Sequence, residues 1–190
     1  MTEPVWEPLR PEAAQELLAR LAVPWCIAGG WALDLFLGEE RSHGDLDVSL
    51  LRRDASALPR ALPDWELRRA REGRLEPWSG EEIAGGSVWA RPRDADRWWL
   101  EFVFEEATGR MWRYRRDRRV TRPLAELAWE RDGIRALAPE VVLLFKSRLA
   151  RPEDGDDFER TLPRLAAESR AWLASALELA HPGHPWLAEL

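Results

Sequence analysis

Two aspartates, Asp45 and Asp47, stand two residues apart in the segment DLDVSL. Side chains alternate between the two faces of a strand, so the three apolar residues of this segment would face a core. Both carboxylates would then share the other face, about 7 Å apart along the strand. Carboxylates that close repel each other unless a cation lies between them, and hard oxygen ligands favour magnesium or manganese. The segment therefore predicts a divalent-metal site.

A glycine pair, Gly29-Gly30, precedes these aspartates and lies where the backbone must turn sharply or approach a ligand closely. The apolar run that ends at Ala28 is typical of a buried strand. The residues Trp31–Leu37 have a helical apolar pattern, and Gly38 follows at a helix C-cap position. A strand, a tight turn and a helix N-terminus present free N–H groups and a favourable dipole to an anion. This motif predicts a phosphate-binding turn beside the metal site.

The two motifs together resemble the nucleotidyltransferase superfamily with the polymerase-beta-like fold, whose signature is Gly-Gly or Gly-Ser followed by Asp-x-Asp. The resemblance is greater still to the aminoglycoside nucleotidyltransferases, in their small 2''-adenylyltransferase-like branch. It rests on GGWALD (29–34), RSHGDLD (41–47) and the segment 139–165, with its LLFK and DDFERTLPRL runs. The resemblance implies an α+β fold, a mixed sheet with flanking helices, followed by a C-terminal helical part.

The resemblance also implies a reaction. A nucleoside monophosphate would pass from a nucleoside triphosphate, ATP by analogy, to a hydroxyl of an aminoglycoside-like cationic small molecule, with release of pyrophosphate. Such a displacement can use two metal ions about 4 Å apart, here Mg²⁺ with Mn²⁺ as the alternative. Asp45 and Asp47 would be metal ligands and catalytic residues, and Gly29 and Gly30 would present backbone to the triphosphate.

A third carboxylate is expected from the strand RWWLEFVFE (97–105), because the resembling family usually has an Asp or Glu on this strand. Its apolar residues Trp98, Leu100, Phe102 and Phe104 alternate onto one face. Glu101 on the other face would be a metal ligand, or the base that takes the proton of the acceptor hydroxyl. A salt bridge to a neighbouring arginine is the structural alternative for Glu101, and Glu105 is the competing candidate.

Three basic side chains match the resembling family and would contact phosphate. Arg41 and His43 lie in the loop before the aspartates, where solvated side chains are the alternative. Lys146 is the only lysine in a chain that otherwise uses arginine, which favours a role for a point-charge ammonium. Asp154, Asp156 and Asp157 match an acidic motif of the family; they would cap a helix, orient Lys146 or form an anionic wall for a cationic acceptor.

The apolar periodicity predicts an N-terminal α/β domain, residues 1–138, and a C-terminal helical domain, residues 139–190, with the active cleft between them. Two of the helices have clear N-terminal signals, Pro11 as an N1 residue and Asp54 as an N-cap. The other predicted elements are strands over 65–70 and 87–90, an irregular loop over 72–86, an edge strand or hairpin over 111–122, and helices from 139, from near 154 to 163, and over 169–180.

Composition restricts the cellular setting and the partners. With 45% hydrophobic and 33% charged residues, the 190-residue chain is expected to be globular. It has no apolar run of transmembrane length and no secretory signal, and its single cysteine, Cys26, fits a reducing compartment. We therefore expect a cytoplasmic protein without a membrane partner.

The net charge of −6 makes nucleic acid an unlikely general partner and suits a cationic small substrate. Two alternatives stay open at this point. One is a toxin-like nucleotidyltransferase that modifies RNA or protein, for which the arginine cluster of residues 110–119 would be required. The other is a nucleotide-binding regulatory module that kept the fold and lost turnover.

Overall fold

A computed structural model describes residues 4–149 and 151–190, and its centre is a mixed β-sheet. Within the described residues the sheet has ten strands in the path β4-β3-β5-β6-β2-β1-β10-β9, and a short β7–β8 hairpin extends from β6. Their bounds are β1 Trp25–Ile27, β2 Asp47–Leu51, β3 Trp65–Arg71, β4 Arg74–Pro77, β5 Ser87–Pro92, β6 Leu100–Thr108, β7 Met111–Arg113, β8 Thr121–Pro123, β9 Ala128–Arg131 and β10 Ile134–Leu137.

Three central strands position the predicted chemistry. Strand β2 runs parallel to β6 and antiparallel to β1. The apolar side chains Leu46, Val48 and Leu50 are buried, as the alternating pattern predicted. Strand β2 begins at Asp47, so Asp45 lies just before the strand and not within it. The two aspartates therefore stand at the strand's N-terminal end, where their carboxylates can leave the packed interior.

The α-helices flank the sheet and enclose its core. They are α1 Pro11–Leu17, α2 Gly29–Leu37, α3 Leu58–Ala61, α4 Pro139–Lys146, α5 Pro152–Thr161 and α6 Ala167–Ala180. Helix α2 begins two residues earlier than predicted and ends, as predicted, at Gly38 in the left-handed conformation, with φ of 71°. Leu33 of α2, Phe102 of β6 and Leu144 of α4 belong to one continuous hydrophobic core, which agrees with the α+β prediction.

Several predicted elements differ from the structure. The segment 72–86 contains β4, because its charged residues pair on the exposed β3–β4 ribbon and need no apolar face. The β9–β10 hairpin was not predicted; it closes at Asp132-Gly133, where both residues have positive φ. Asp54 lies inside a 3-10 turn, Arg52–Ala57, and does not cap a helix.

All strands of the described residues precede Pro139, and the helices α4, α5 and α6 follow it. This order has the same division point as the predicted domain boundary. The C-terminal helices nevertheless share the core of the sheet, since α4 packs on α2 as well as on α6. Among the described residues no helix combines the length and the apolar character needed to cross a membrane.

Candidate active site

Strand register brings the three predicted carboxylates together. Asp47 on β2 pairs directly with Glu101 on the parallel strand β6, so both side chains share one face of the sheet. Asp45 precedes β2, and the backbone N–H of Glu101 donates to the Leu46 carbonyl between the two aspartates, at 2.9 Å. One carboxylate oxygen from each of the three residues lies within 4.8 Å of the others. The structure thus forms a three-carboxylate cluster of Asp45, Asp47 and Glu101.

The electrostatics of this cluster favour a bound cation. Burial, followed by the charges of Glu101 and Asp45, raises the pKa of Asp47 well above its usual value. Burial also raises the pKa of Glu101, and the charge of Asp45 adds to that rise. No cationic side chain of the described residues forms an ion pair with any of the three carboxylates. The donor set is entirely oxygen and has no ion-pair partner among the described residues, which fits Mg²⁺ or Mn²⁺ better than zinc.

Gly29 is required by its conformation and by its neighbour. Its φ is +60°, and a Cβ atom built on it would lie 2.2 Å from Oδ2 of Asp47. The turn is fixed to the aspartate strand, because the N–H of Ala28 donates to the Asp47 carbonyl at 2.9 Å. A side chain at position 29 would therefore displace the Asp47 carboxylate from the cluster.

Gly30 has a different constraint, since a Cβ atom there would lie 2.7 Å from the ring of His43. The first N–H groups of a helix have no acceptor within that helix, and Gly29 and Gly30 open α2 beside the carboxylate cluster. The glycine pair predicted to bind phosphate thus lies where free N–H groups and the carboxylates meet.

Asp34 organises the loop that carries Arg41 and His43, a role that the sequence did not reveal. Its side chain is 1% exposed and accepts hydrogen bonds from the backbone N–H and Nε of Arg41, at 2.9 and 2.8 Å, and from Nε2 of His43 at 2.8 Å. Burial alone would raise the pKa of Asp34, but these hydrogen bonds lower it below its usual value. The signal in the sequence was a lone acidic residue in an apolar helix, seven residues before an arginine.

Lys146 lies in the cleft but is not free. Its Nζ lies 3.1 Å from Oδ1 of Asp154 and 2.8 Å from Oδ2 of Asp157, and both aspartates are buried. Arg41 contacts Oδ1 of Asp157 at 2.8 Å, which joins the loop after α2 to helix α5. Asp154 also accepts from Arg151 in a capping box at the start of α5. Asp154 and Asp157 therefore pair with basic side chains and do not form an anionic wall, whereas Asp156 is exposed.

These residues surround one open cleft of about 530 Å³ between the sheet and the C-terminal helices. Asp45, Asp47, the glycine pair and Lys146 line this cleft, whereas Glu101 does not. The remaining polar residues of its wall are Arg41, Ser42, His43, Glu105, Arg115, Arg116, Arg151, Glu153, Asp154 and Asp157. A site of this composition can hold a divalent cation and a polyanion together.

Glu105, the competing third carboxylate, has a different environment. It is 2% exposed and accepts from the indole N–H of Trp112 at 2.7 Å and from the Ser49 hydroxyl at 3.4 Å. Burial raises its pKa. The three-carboxylate cluster is completed by Glu101 and does not include Glu105.

A mixed sheet, a glycine turn into a helix and three converging carboxylates are the features expected from the resemblance to the nucleotidyltransferases. The sequence model of the family described as aminoglycoside-2''-adenylyltransferase matches residues 12–74. That match includes the glycine pair, Asp45 and Asp47, and it stops before Glu101. The predicted resemblance is confirmed over this part of the chain. No curated protein matches the chain significantly.

Solved structures share the fold over most of the chain. The antibiotic-resistance factor ANT(2'')-Ia in solution has a TM-score of 0.59 and 16% identity, covering 88% of this chain and 88% of that chain. ANT(2'')-Ia in complex with adenylyl-2''-tobramycin has a TM-score of 0.56 and 16% identity, covering 88% and 92%. The lincosamide antibiotic adenylyltransferase LnuA, lincomycin-bound, has a TM-score of 0.56 and 13% identity, covering 81% and 95%. These likenesses establish the fold.

Proposed function

We propose that the protein is a metal-dependent nucleotidyltransferase that transfers a nucleoside monophosphate, with ATP as the expected donor, to a hydroxyl of an antibiotic-like small molecule. The observation that carries the proposal is the uncompensated carboxylate cluster of Asp45, Asp47 and Glu101 beside the Gly29-Gly30 helix start. A cluster of this kind is electrostatically unfavourable by itself. It becomes favourable when a divalent cation and a triphosphate occupy the adjoining cleft.

The site residues would have separate roles in metal binding, proton transfer and phosphate binding. Asp45 and Asp47 would hold the divalent cation, with Glu101 either completing the ligand set or accepting the proton of the attacking hydroxyl. The cation, when bound, supplies charge neutralisation at the phosphates. Gly29 and Gly30 offer backbone N–H groups to the phosphate oxygens.

The proposed acceptor is an aminoglycoside, and a lincosamide is the second antibiotic-like acceptor to test. The family that matches residues 12–74 is described by its aminoglycoside activity, and the structures that share the fold include complexes with adenylyl-2''-tobramycin and with lincomycin. The net charge of −6 favours approach of a cationic molecule of either kind.

The experiment that tests the proposal is pyrophosphate release with Mg²⁺ across the four ribonucleoside triphosphates and a panel of aminoglycosides and lincosamides. The variant Asp47→Asn is the blank, because it removes a ligand oxygen without changing side-chain size. We expect release that requires one acceptor and is lost in the blank. Equal release by Asp47→Asn would contradict the assignment of the carboxylate cluster, and RNA is the acceptor to test if every small molecule fails.

A further inference from the structure

The basic side chains around the cleft differ in whether a carboxylate already neutralises them. Arg41 pairs with Asp34 and Asp157, and Lys146 pairs with Asp154 and Asp157. Arg151, also in the cleft wall, pairs with Glu153 and Asp154. These three cations carry little uncompensated charge toward a ligand.

Arg115 and Arg116 line the same cleft, and no carboxylate of the described residues forms an ion pair with either. They lie in the turn between β7 and β8, and both are exposed. Burial raises the pKa of Asp47, of Glu101 and of Glu105, and the charge of Arg115 opposes that rise at each of them. Its guanidinium is therefore electrostatically close to the carboxylate cluster.

The two guanidinium groups are held in place on one aromatic ring. The Cζ atoms of Arg115 and Arg116 lie 4.9 and 5.5 Å from the centroid of the Phe145 ring. Arg116 also donates from Nη1 to the Phe145 carbonyl at 2.9 Å, and to the Tyr114 hydroxyl at 3.2 Å. Arg115 donates from Nη1 to the Phe104 carbonyl at 3.4 Å. These contacts use only part of each guanidinium, which has five N–H donors.

We propose that Arg115 and Arg116 bind the triphosphate of the donor nucleotide, as an arginine pair stacked on Phe145 in the cleft that the glycine turn also lines. The inference rests on the proposed function, in which the nucleotide triphosphate is the only polyanion. Guanidinium groups form bidentate, charge-assisted hydrogen bonds with phosphate oxygens, and a pair already ordered by stacking loses less freedom on binding. A polycationic acceptor would be repelled from this part of the cleft, so its amines must lie elsewhere.

The test is isothermal titration of the full-length protein with Mg²⁺ and, separately, ATP, inorganic tripolyphosphate and adenosine. The variants are Arg115→Ala and Arg116→Ala, with Arg118→Ala as the matched control, because Arg118 is an exposed arginine of the same turn that does not line the cleft. Loss of a charge-assisted hydrogen bond at a partly solvated site predicts about tenfold weaker binding of ATP and of tripolyphosphate. Adenosine affinity should stay unchanged.

The possible results separate the role of the arginine pair from the proposed function. If the wild-type protein binds ATP, and Arg115→Ala binds it as tightly as Arg118→Ala does, the proposed role of the arginine pair is overturned and the proposed function stays intact. An unchanged ATP affinity with an altered KM for the acceptor would overturn it as well, and would assign the pair to the acceptor site. Failure of the wild-type protein to bind any nucleoside triphosphate would instead refute the proposed function. Because Arg116→Ala also removes the hydrogen bonds to the Phe145 carbonyl and the Tyr114 hydroxyl, Arg116→Lys and the melting temperature separate a binding effect from a folding effect.

Discussion

Replacement of Gly29 by alanine tests whether the glycine turn and the metal ligands form one unit. Gly29 has φ of +60°, and the new Cβ atom would lie 2.2 Å from Oδ2 of Asp47. Gly109, at the tip of the β6–β7 hairpin, has φ of +58°, and no neighbouring atom lies within 4 Å of the position that a Cβ atom would take there. Gly29→Ala and Gly109→Ala therefore have the same backbone cost, and only the first has a steric conflict with a carboxylate.

The expected magnitudes separate the two effects. An alanine in the left-handed region costs about 1 kcal/mol of unfolding free energy, and this loss should be common to both variants. In Gly29→Ala the Asp47 carboxylate must also move by roughly 1 Å to restore an ordinary contact distance. A displacement of that size at a reacting centre can cost about 100-fold in rate, so we expect that loss of kcat/KM only in Gly29→Ala.

The measurements are urea unfolding for stability, pyrophosphate release for activity and Mn²⁺ titration by electron paramagnetic resonance for the cation itself. The Mn²⁺ titration does not depend on knowing the acceptor. We expect weaker Mn²⁺ binding in Gly29→Ala and unchanged binding in Gly109→Ala. If the two variants bind Mn²⁺ equally and turn over at the same rate, the steric link between Gly29 and Asp47 plays no part in the site.

Three further predictions concern side chains of the cleft. Asp34→Asn should lower the unfolding free energy by about 2 kcal/mol at neutral pH. The pKa of Asp34 in the folded protein lies below its usual value of 3.8. The stabilisation by the Asp34 carboxylate is therefore complete above pH 3.8 and is lost as the pH falls through the folded-state pKa. Urea unfolding should therefore show the gap between wild type and variant closing at acid pH, and a gap independent of pH would contradict this. Glu101→Gln should cut turnover by about 100-fold with little change in ATP affinity if Glu101 is the base, whereas parallel losses in both assays would make it a ligand. Lys146→Ala should weaken ATP binding, but less than Arg115→Ala does, because two aspartates already share the ammonium charge; the reverse order in titration would refute this ranking.

The parts of the fold that follow an apolar period could be predicted from the sequence. The burial of Leu46, Val48 and Leu50 follows from simple alternation, and the left-handed Gly38 follows from its place after an apolar helix. The β3–β4 ribbon and the β9–β10 hairpin could not be predicted this way. Their strands are short and charged, and their pairing is fixed by backbone hydrogen bonds and positive-φ turns more than by a buried face.

The candidate site, like the fold, could be predicted from the sequence only in part. The proximity of Asp45 and Asp47 follows from their spacing. The register that places Glu101 beside Asp47 depends instead on the pairing of two strands, β2 and β6, that are far apart in the sequence. The restraint of Arg41 by Asp34 depends on a helix and a loop folding back on each other, and a loop arginine by itself gives no indication of its partner. Local patterns identify the residue types of the site, whereas tertiary contacts decide which charges remain available.

That distinction gives the acidic residues of the cleft two opposite roles. The carboxylates of Asp45, Asp47 and Glu101 have no ion-pair partner among the described residues, so in the proposed function they are the groups that bind the cation. Asp154 and Asp157 are buried, but each is within 3.1 Å of a basic nitrogen, so their charge is already neutralised in the folded chain. An acceptor that enters this cleft therefore meets neutralised aspartates on the helical side. If the acceptor is polycationic, its binding energy must come from hydroxyl hydrogen bonds and from stacking, and its affinity should fall only modestly as salt is raised.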